Sequence, residues 1–406
     1  MAAPTHIATG RPAVVALALG VLGLAVGLAV TVAPGNLPGA VLMGFVFWVG
    51  ASLGSLALLL VNHMAGGSWG AVVRRPLEAM VSALPVALLF FLPVAAFITQ
   101  LYPWADPAYV EAHKLVAWKA GYLNATWFVL RSLLFFVLWL LTAWVYLRGA
   151  REQDAAELGR AGLIGYRLKS TAAVYLIVYV LTMTLAATDW AMSLTPEWWS
   201  GIYGLIFMIS QAIVAMSLAI LTMTWMARRS RRVDELLTEK RLQDLGNYLM
   251  AFTMFWAYVN LSQLMIHWTN NIVETNVFYV LRLNAQPWQG MGAYLLAVGF
   301  FLPFLILFSR WVKRRRAALA FMAGWALLNQ ALHLYWYVAP EVGRAGLPGI
   351  GDVAIFLGIG GVWLAAYLRS LGARSVVPER DPRLLAAEHA RHGADTHGSG
   401  PEVRHA

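Results

Sequence analysis

The chain has 406 residues, of which 60% are apolar and only 12% charged, about half the charged share of an ordinary soluble domain. That balance excludes a soluble multidomain protein, whose surfaces could not be covered. The absence of cysteine excludes disulfides, cysteine-ligated iron–sulfur clusters and zinc thiolates. The net charge of +10 fits either nucleic acid or a membrane surface, and its distribution along the chain decides between them.

Ten stretches have the roughly 20 apolar residues that a membrane crossing needs. They are Ala13–Ala33, Ala40–His63, Pro76–Leu101, Ala125–Tyr146, Thr171–Met192, Gly201–Met226, Leu245–Trp268, Met291–Phe308, Ala317–Tyr337 and Ile350–Leu368. The first is longer than the apolar part of a signal peptide and lacks a small-residue cleavage site before Asn36, so it reads as a span. The chain therefore divides into an N-terminus (1–12), a ten-helix all-α transmembrane domain (13–370) and a tail (371–406) expected to be disordered. Four tail histidines, His389, His392, His397 and His405, read as solvated.

Basic residues set the orientation. Twenty-five of the 30 lie in one alternate set of loops and the termini, and four (Lys114, Lys119, Arg282, Arg344) in the other. By the positive-inside rule both termini are expected to be cytoplasmic. Charge spread over every second loop forms no single patch for nucleic acid. The opposite face is aromatic: Tyr102, Trp104, Trp118, Trp127, Trp198, Trp199, Trp268, Trp288 and Trp336 read as an interfacial belt. Loops 102–124 and 269–290 on that face are long enough for short surface helices. A short repeat, Gly44–Val49 against Gly204–Ile209, suggests two four-helix bundles.

Ionisable groups in hydrocarbon cost about 2.5–3.5 kcal/mol on the insertion scale and need a reason. Glu78 after Pro76, and Asp244 and Asp352 at span starts, read as helix N-terminal carboxylates. His63 reads as a C-terminal cation. Deeper groups gather toward the aromatic side. Arg131 lies in the fourth span and Asp189 in the fifth. Asn260, Gln263 and His267 share one helical face of the seventh, and Gln330, His333 and Tyr337 one of the ninth. Two readings stay open: a structural ion pair with interhelical hydrogen bonds, or a polar pocket that binds a hydroxylated ring or passes protons. A haem between His267 and His333 is a weaker third, since no second histidine pair supports it.

Five stretches resemble the ActF-type membrane subunit of bacterial alternative complex III, a relative of the NrfD family of quinone-interacting subunits. They are Leu101–Ala105; Lys119–Asn124 with Arg131; Asp189–Gly204; Ser262–Gln263 running through Trp268, Asn271, Glu274 and Tyr279 to Arg282; and Leu334–Pro340. The resemblance implies two NrfD-like four-helix bundles plus flanking helices. It implies a subunit with no redox cofactor of its own, in a quinol-oxidising respiratory complex of the bacterial cytoplasmic membrane. The implied partners are an iron–sulfur protein, a multihaem cytochrome c, a sister NrfD-like subunit and quinone. Arg131, Asp189, Gln263 and Asn271 carry over as family positions. Gln330 and His333 stand where the family often has Arg and Asp, and His267 where it has an apolar residue.

The expected site is thus a quinone-binding or proton-conducting cluster of Arg131, Asp189, Gln263, Asn271, His333 and His267. Arg131 would orient Asp189, His333 would titrate, and Gln263 and Asn271 would donate hydrogen bonds. No catalytic residue or metal ligand is expected. A secondary transporter and a purely structural anchor are the alternatives, although no span pair carries the Gly/Pro interruptions of broken transporter helices.

Overall fold

The computed structural model describes residues 6–32, 35–270, 273–378, 381 and 384, without the side chains of 68 and 273–275. Ten helices in it are long and apolar enough to cross a membrane. They are α1 (Gly10–Thr31), α2 (Leu37–Ala65), α3 (Trp69–Ala96), α4 (Ala125–Ala155), α5 (Leu158–Leu194), α6 (Tyr203–Ala227), α7 (Glu239–Asn270), α8 (Trp288–Phe308), α9 (Arg316–Val338) and α10 (Ile350–Gly372). The chain is an all-α polytopic membrane protein, as its composition required.

Helices α2 to α5 pack as one group and α6 to α9 as another, joined where α2 crosses α6; α10 lies against α2, and α1 against α10. The repeat noted in the sequence falls on α2 and α6, the two most buried helices and the first of each group. Where they cross, a Cβ at Gly54 would come within 2.1 Å of the Gln211 carbonyl oxygen, so this approach needs glycine. The α1–α10 contact follows the same rule. Gly20 and Gly23 face Gly358 and Gly361, and a Cβ at Gly361 would lie 2.5 Å from the Gly20 Cα. Small residues let backbones touch where lipid offers no hydrophobic drive. Ala16, Gly27 and Thr31 are buried as well, while much of the rest of α1, including Val14, Leu19 and Leu22, is exposed.

Several helices run past the apolar stretches that announced them. Helix α7 starts at Glu239, which places Asp244 in the second turn and not at the N-cap. Pro76 sits inside the first half of α3, so Glu78 is not a first-turn carboxylate. That helix breaks at Ala83, two residues before Pro85, which has no N–H for the turn below. Asp352 is the third residue of α10, accepting from the Gly349 N–H at 3.1 Å and from Arg344 at 2.6 Å. His63 does occupy the last turn of α2. Short surface helices cover the aromatic end, at Pro107–Ala112, Lys114–Lys119 and Val273–Asn284.

The arginine-rich end holds a buried ion network. Arg74 bonds Glu78 at 2.7 Å and Asp381 at 2.8 Å; Arg75 bonds Glu78 and Asp154, each at 2.8 Å. Arg374 bonds Glu78 at 2.6 Å and Asp154 at 2.5 Å. Val376, Val377 and Leu384 are buried beside it. The expected disorder from 371 onward therefore does not hold for these residues: apolar burial and ion pairs fasten them to α3 and α4. The four tail histidines lie outside the described residues.

The aromatic belt also divides. Trp118, Trp127, Trp199 and Trp268 are exposed, whereas Tyr102, Trp104, Trp198, Trp288 and Trp336 are packed inside.

Candidate functional site

The expected cluster resolves into two places, one in each bundle. In the first, Arg131 of α4 grips the fully buried Asp189 of α5 with a fork, Nε to Oδ2 at 3.0 Å and a terminal nitrogen to Oδ1 at 3.2 Å. Two parallel charge-assisted bonds fix a carboxylate in angle as well as position. The remaining guanidinium nitrogen donates to the Tyr122 carbonyl at 2.9 Å, and the guanidinium lies 3.8 Å from the centre of the Tyr122 ring. Burial, and then the charge of Asp189, push the Tyr122 hydroxyl up to about 12. Nearby, the last carbonyls of α5 are satisfied by side chains. Tyr102 donates to the Trp190 carbonyl at 3.0 Å, and Ser193 to that of Asp189 at 2.5 Å. Such caps are what the orphan carbonyls of a buried helix end demand.

In the second bundle, the face shared by Asn260, Gln263 and His267 splits between two sets of partners. Gln263 accepts from Ser200 at 2.6 Å, and its amide nitrogen lies 2.6 Å from His267 Nε2. An amide NH₂ only donates, so His267 Nε2 accepts and its proton sits on Nδ1. The ring is flanked by Trp198 and Tyr279. Asn260 turns toward α9. Its Oδ1 accepts from Tyr337 at 2.8 Å and from His333 Nε2 at 3.2 Å, while its amide donates to the Trp256 carbonyl at 2.8 Å. The indole N–H of Trp256 donates to His333 Nδ1 at 3.3 Å. Because an indole cannot accept, His333 is the neutral tautomer with its proton on Nε2. Its one acceptor is occupied, so the titrating role expected of His333 requires the Trp256 bond to break first.

A cavity of about 360 Å³ opens beside this network, between α7, α8, α9 and the 273–284 helix. Its walls are mostly apolar, with Trp256, Leu264, Leu283, Leu295, Phe300 and Trp336; Asn260, Tyr279, Gln289, His333 and Tyr337 supply the polar points. Leu261 and Leu296, also on its lining, are exposed on the outside of the helices, so the mouth faces lipid. A π-helical turn at Ala297–Phe301 bends this wall of α8. Pro303 gives that turn no N–H, and the Trp325 indole donates to the Val298 carbonyl at 3.1 Å. On the other side of Tyr279 and Leu283 lies a second cavity of about 390 Å³, which His267, Asn276 and Asn284 also line.

Arg282, met in the sequence as a loop charge and as the end of the fourth resembling stretch, holds this corner together. It is fully buried and donates to the Trp336 carbonyl at 3.0 Å, the Tyr337 carbonyl at 2.7 Å and Glu341 at 2.7 Å. A cation on the last carbonyls of α9 suits the negative end of that helix. Glu341 also accepts from Thr195. The 273–284 helix is thereby pinned over the cavity. Trp256, Arg282 and Glu341 were not singled out from sequence as site residues. Apart from the buried arginine among apolar neighbours, nothing in the spacing marks them.

Asn271 lies outside the described residues. Arg131 and Asp189 are not on the lining of the second-bundle cavities. Among the described residues no group of three His, Asp or Glu comes together in the way a metal ion would need. In comparisons with protein-family models and with curated proteins, the chain matches none.

Proposed function

We propose that this chain is a membrane subunit of a quinol-oxidising respiratory complex of the alternative complex III type, and that a quinol ring sits in the α7–α8–α9 cavity. The observation that carries the reading is the cavity itself: about 360 Å³ within the spanning region, with its mouth flanked by exposed leucines and one wall formed by Asn260, His333 and Tyr337. Sites for small ring compounds are largely apolar with a few polar points, and a lipid-soluble ring needs entry from the side.

One polar point of the wall suits the reduced ring. Tyr337 gives its proton to Asn260 and accepts from the Tyr279 hydroxyl, which leaves one lone pair on its oxygen to accept. Asn260 accepts twice and donates once, so a second amide N–H remains beyond these three bonds. The wall thus offers an acceptor at Tyr337, which suits a ring hydroxyl, beside an amide donor at Asn260. This chain's part is to bind and orient the ring, with Tyr279 and Gln289 at the rim; electrons pass through partner subunits, an iron–sulfur protein and a multihaem cytochrome c. The five resembling stretches and the one-sided distribution of arginine support a place in the bacterial cytoplasmic membrane with both termini cytoplasmic.

Titration of the purified chain in lipid nanodiscs with a short-chain quinol analogue tests the reading. Tyr337→Phe is expected to weaken binding about tenfold, or ~1.4 kcal/mol, with little change in the oxidised analogue. Equal affinity for wild type and variant would overturn it.

A further inference from the structure

A third cavity lies between α2, α6 and α9, on the far side of His333 and Tyr337 from the lipid-facing one. It is small, about 30 Å³, and Val46, Phe47, Phe207, Val214 and Leu334 make most of its wall. Two features separate it from an ordinary apolar packing defect. Gln330, buried to 94% by its 6% exposure, has no protein partner for its amide oxygen, and Ser210 has none for its hydroxyl. Both residues line the cavity. The nearby Gln211 does not supply the bonds: its oxygen accepts from Tyr179 at 2.8 Å and its nitrogen is turned to the Met183 sulfur at 3.2 Å. Gly50 keeps the space open, since a Cβ there would lie 3.0 Å from Gln211.

Empty cavities in proteins are apolar, and buried polar groups left unpaired are rare. A cavity that a water fills needs about 10–15 Å³ and two or more polar partners, and this one offers both. We propose that it binds one ordered water, which donates to Gln330 Oε1 and exchanges a hydrogen bond with Ser210 Oγ. The site joins α6 to α9 through a solvent molecule directly behind the His333–Tyr337 wall. The inference uses no assumption about a quinol ring and stands or falls separately from it.

Variants of the full chain give opposite signs for a wet and a dry site. If water is bound, Gln330→Leu and Ser210→Ala each discard its bonds, and each is expected to lower Tm by roughly 1–3 °C. The double variant should lose less than the sum, because both groups act through one water. If the site is dry, removing an unpaired amide relieves a cost, and Gln330→Leu raises Tm; that result overturns the proposal. Should Gln330→Leu fail to fold, Ser210→Ala is the gentler variant, and an unchanged or raised Tm there overturns it equally. A map fine enough to show ordered solvent should place a peak within hydrogen-bonding distance of both oxygens. An empty cavity, or a Gln330 amide bonded elsewhere, would contradict it.

Discussion

The two bundles handle intramembrane polarity in opposite ways. In the first, Arg131 and Asp189 meet as full charges, close their fork on each other and are sealed by Tyr122. In the second, Asn260, His333, Tyr337 and Trp256 are held by four neutral hydrogen bonds beside a cavity. A buried ion pair repays its desolvation only while both partners remain, so it suits a place that must not change. A neutral network with a spare lone pair can accept a visitor at the cost of small rotations. The difference fits rigidity at the first site and the proposed ring binding at the second, although spacing alone had gathered both into one cluster.

The comparison breaks most visibly at Asp189. Replacing it with Leu strands the Arg131 charge and is expected to cost about 3–5 kcal/mol, read as lost Tm and lost yield of folded chain. The double replacement with Arg131→Leu should recover much of that. If Asp189→Leu folded normally but lost quinol binding, the assignment of roles would be reversed.

Arg282 offers the next test, because it links the rigid and the receptive modes. Arg282→Met leaves two α9 carbonyls without this donor and Glu341 with Thr195 alone. A loss of about 2–3 kcal/mol is expected, together with weaker binding of a quinol analogue as the 273–284 helix loosens. Lost stability with unchanged binding would show that this helix does not shape the cavity.

The smallest effect concerns alkaline pH. The Tyr122 hydroxyl, raised to about 12 in the folded chain, keeps its proton where the unfolded chain has already lost it, near 10. Its contribution is complete below about 10 and is lost as pH rises toward 12. Denaturation followed across that window should show a steeper decline for wild type than for Tyr122→Phe. Parallel curves would mean that neither burial nor Asp189 raises the Tyr122 hydroxyl.

Much of the fold was legible because hydropathy and length act on each span separately. The helix ends were not, since charged turns such as Glu239–Asp244 continue a helix beyond the apolar stretch. Polar faces were legible too: the i, i+3, i+7 spacing correctly put Asn260, Gln263 and His267 on one side of α7. Spacing says nothing about neighbouring helices, so it could not foresee that Asn260 joins α9 while Gln263 and His267 turn to Ser200 and the 273–284 helix. Arg74 and Arg75 illustrate the same limit. Counted as topology signals, they also form the buried core of an ion network with Glu78, Asp154 and Asp381. The partnership depends on a segment some 300 residues away, which no local pattern encodes.

Photoaffinity labelling of the chain in its native membrane, using a quinol analogue with the reactive group on the ring, tests the central claim most directly. Adducts are expected on α7, α8 and α9 around Trp256, Phe300 and Trp336, suppressed by excess unmodified quinol. Adducts confined to the first bundle near Arg131 and Asp189, or none that quinol competes away, would contradict it.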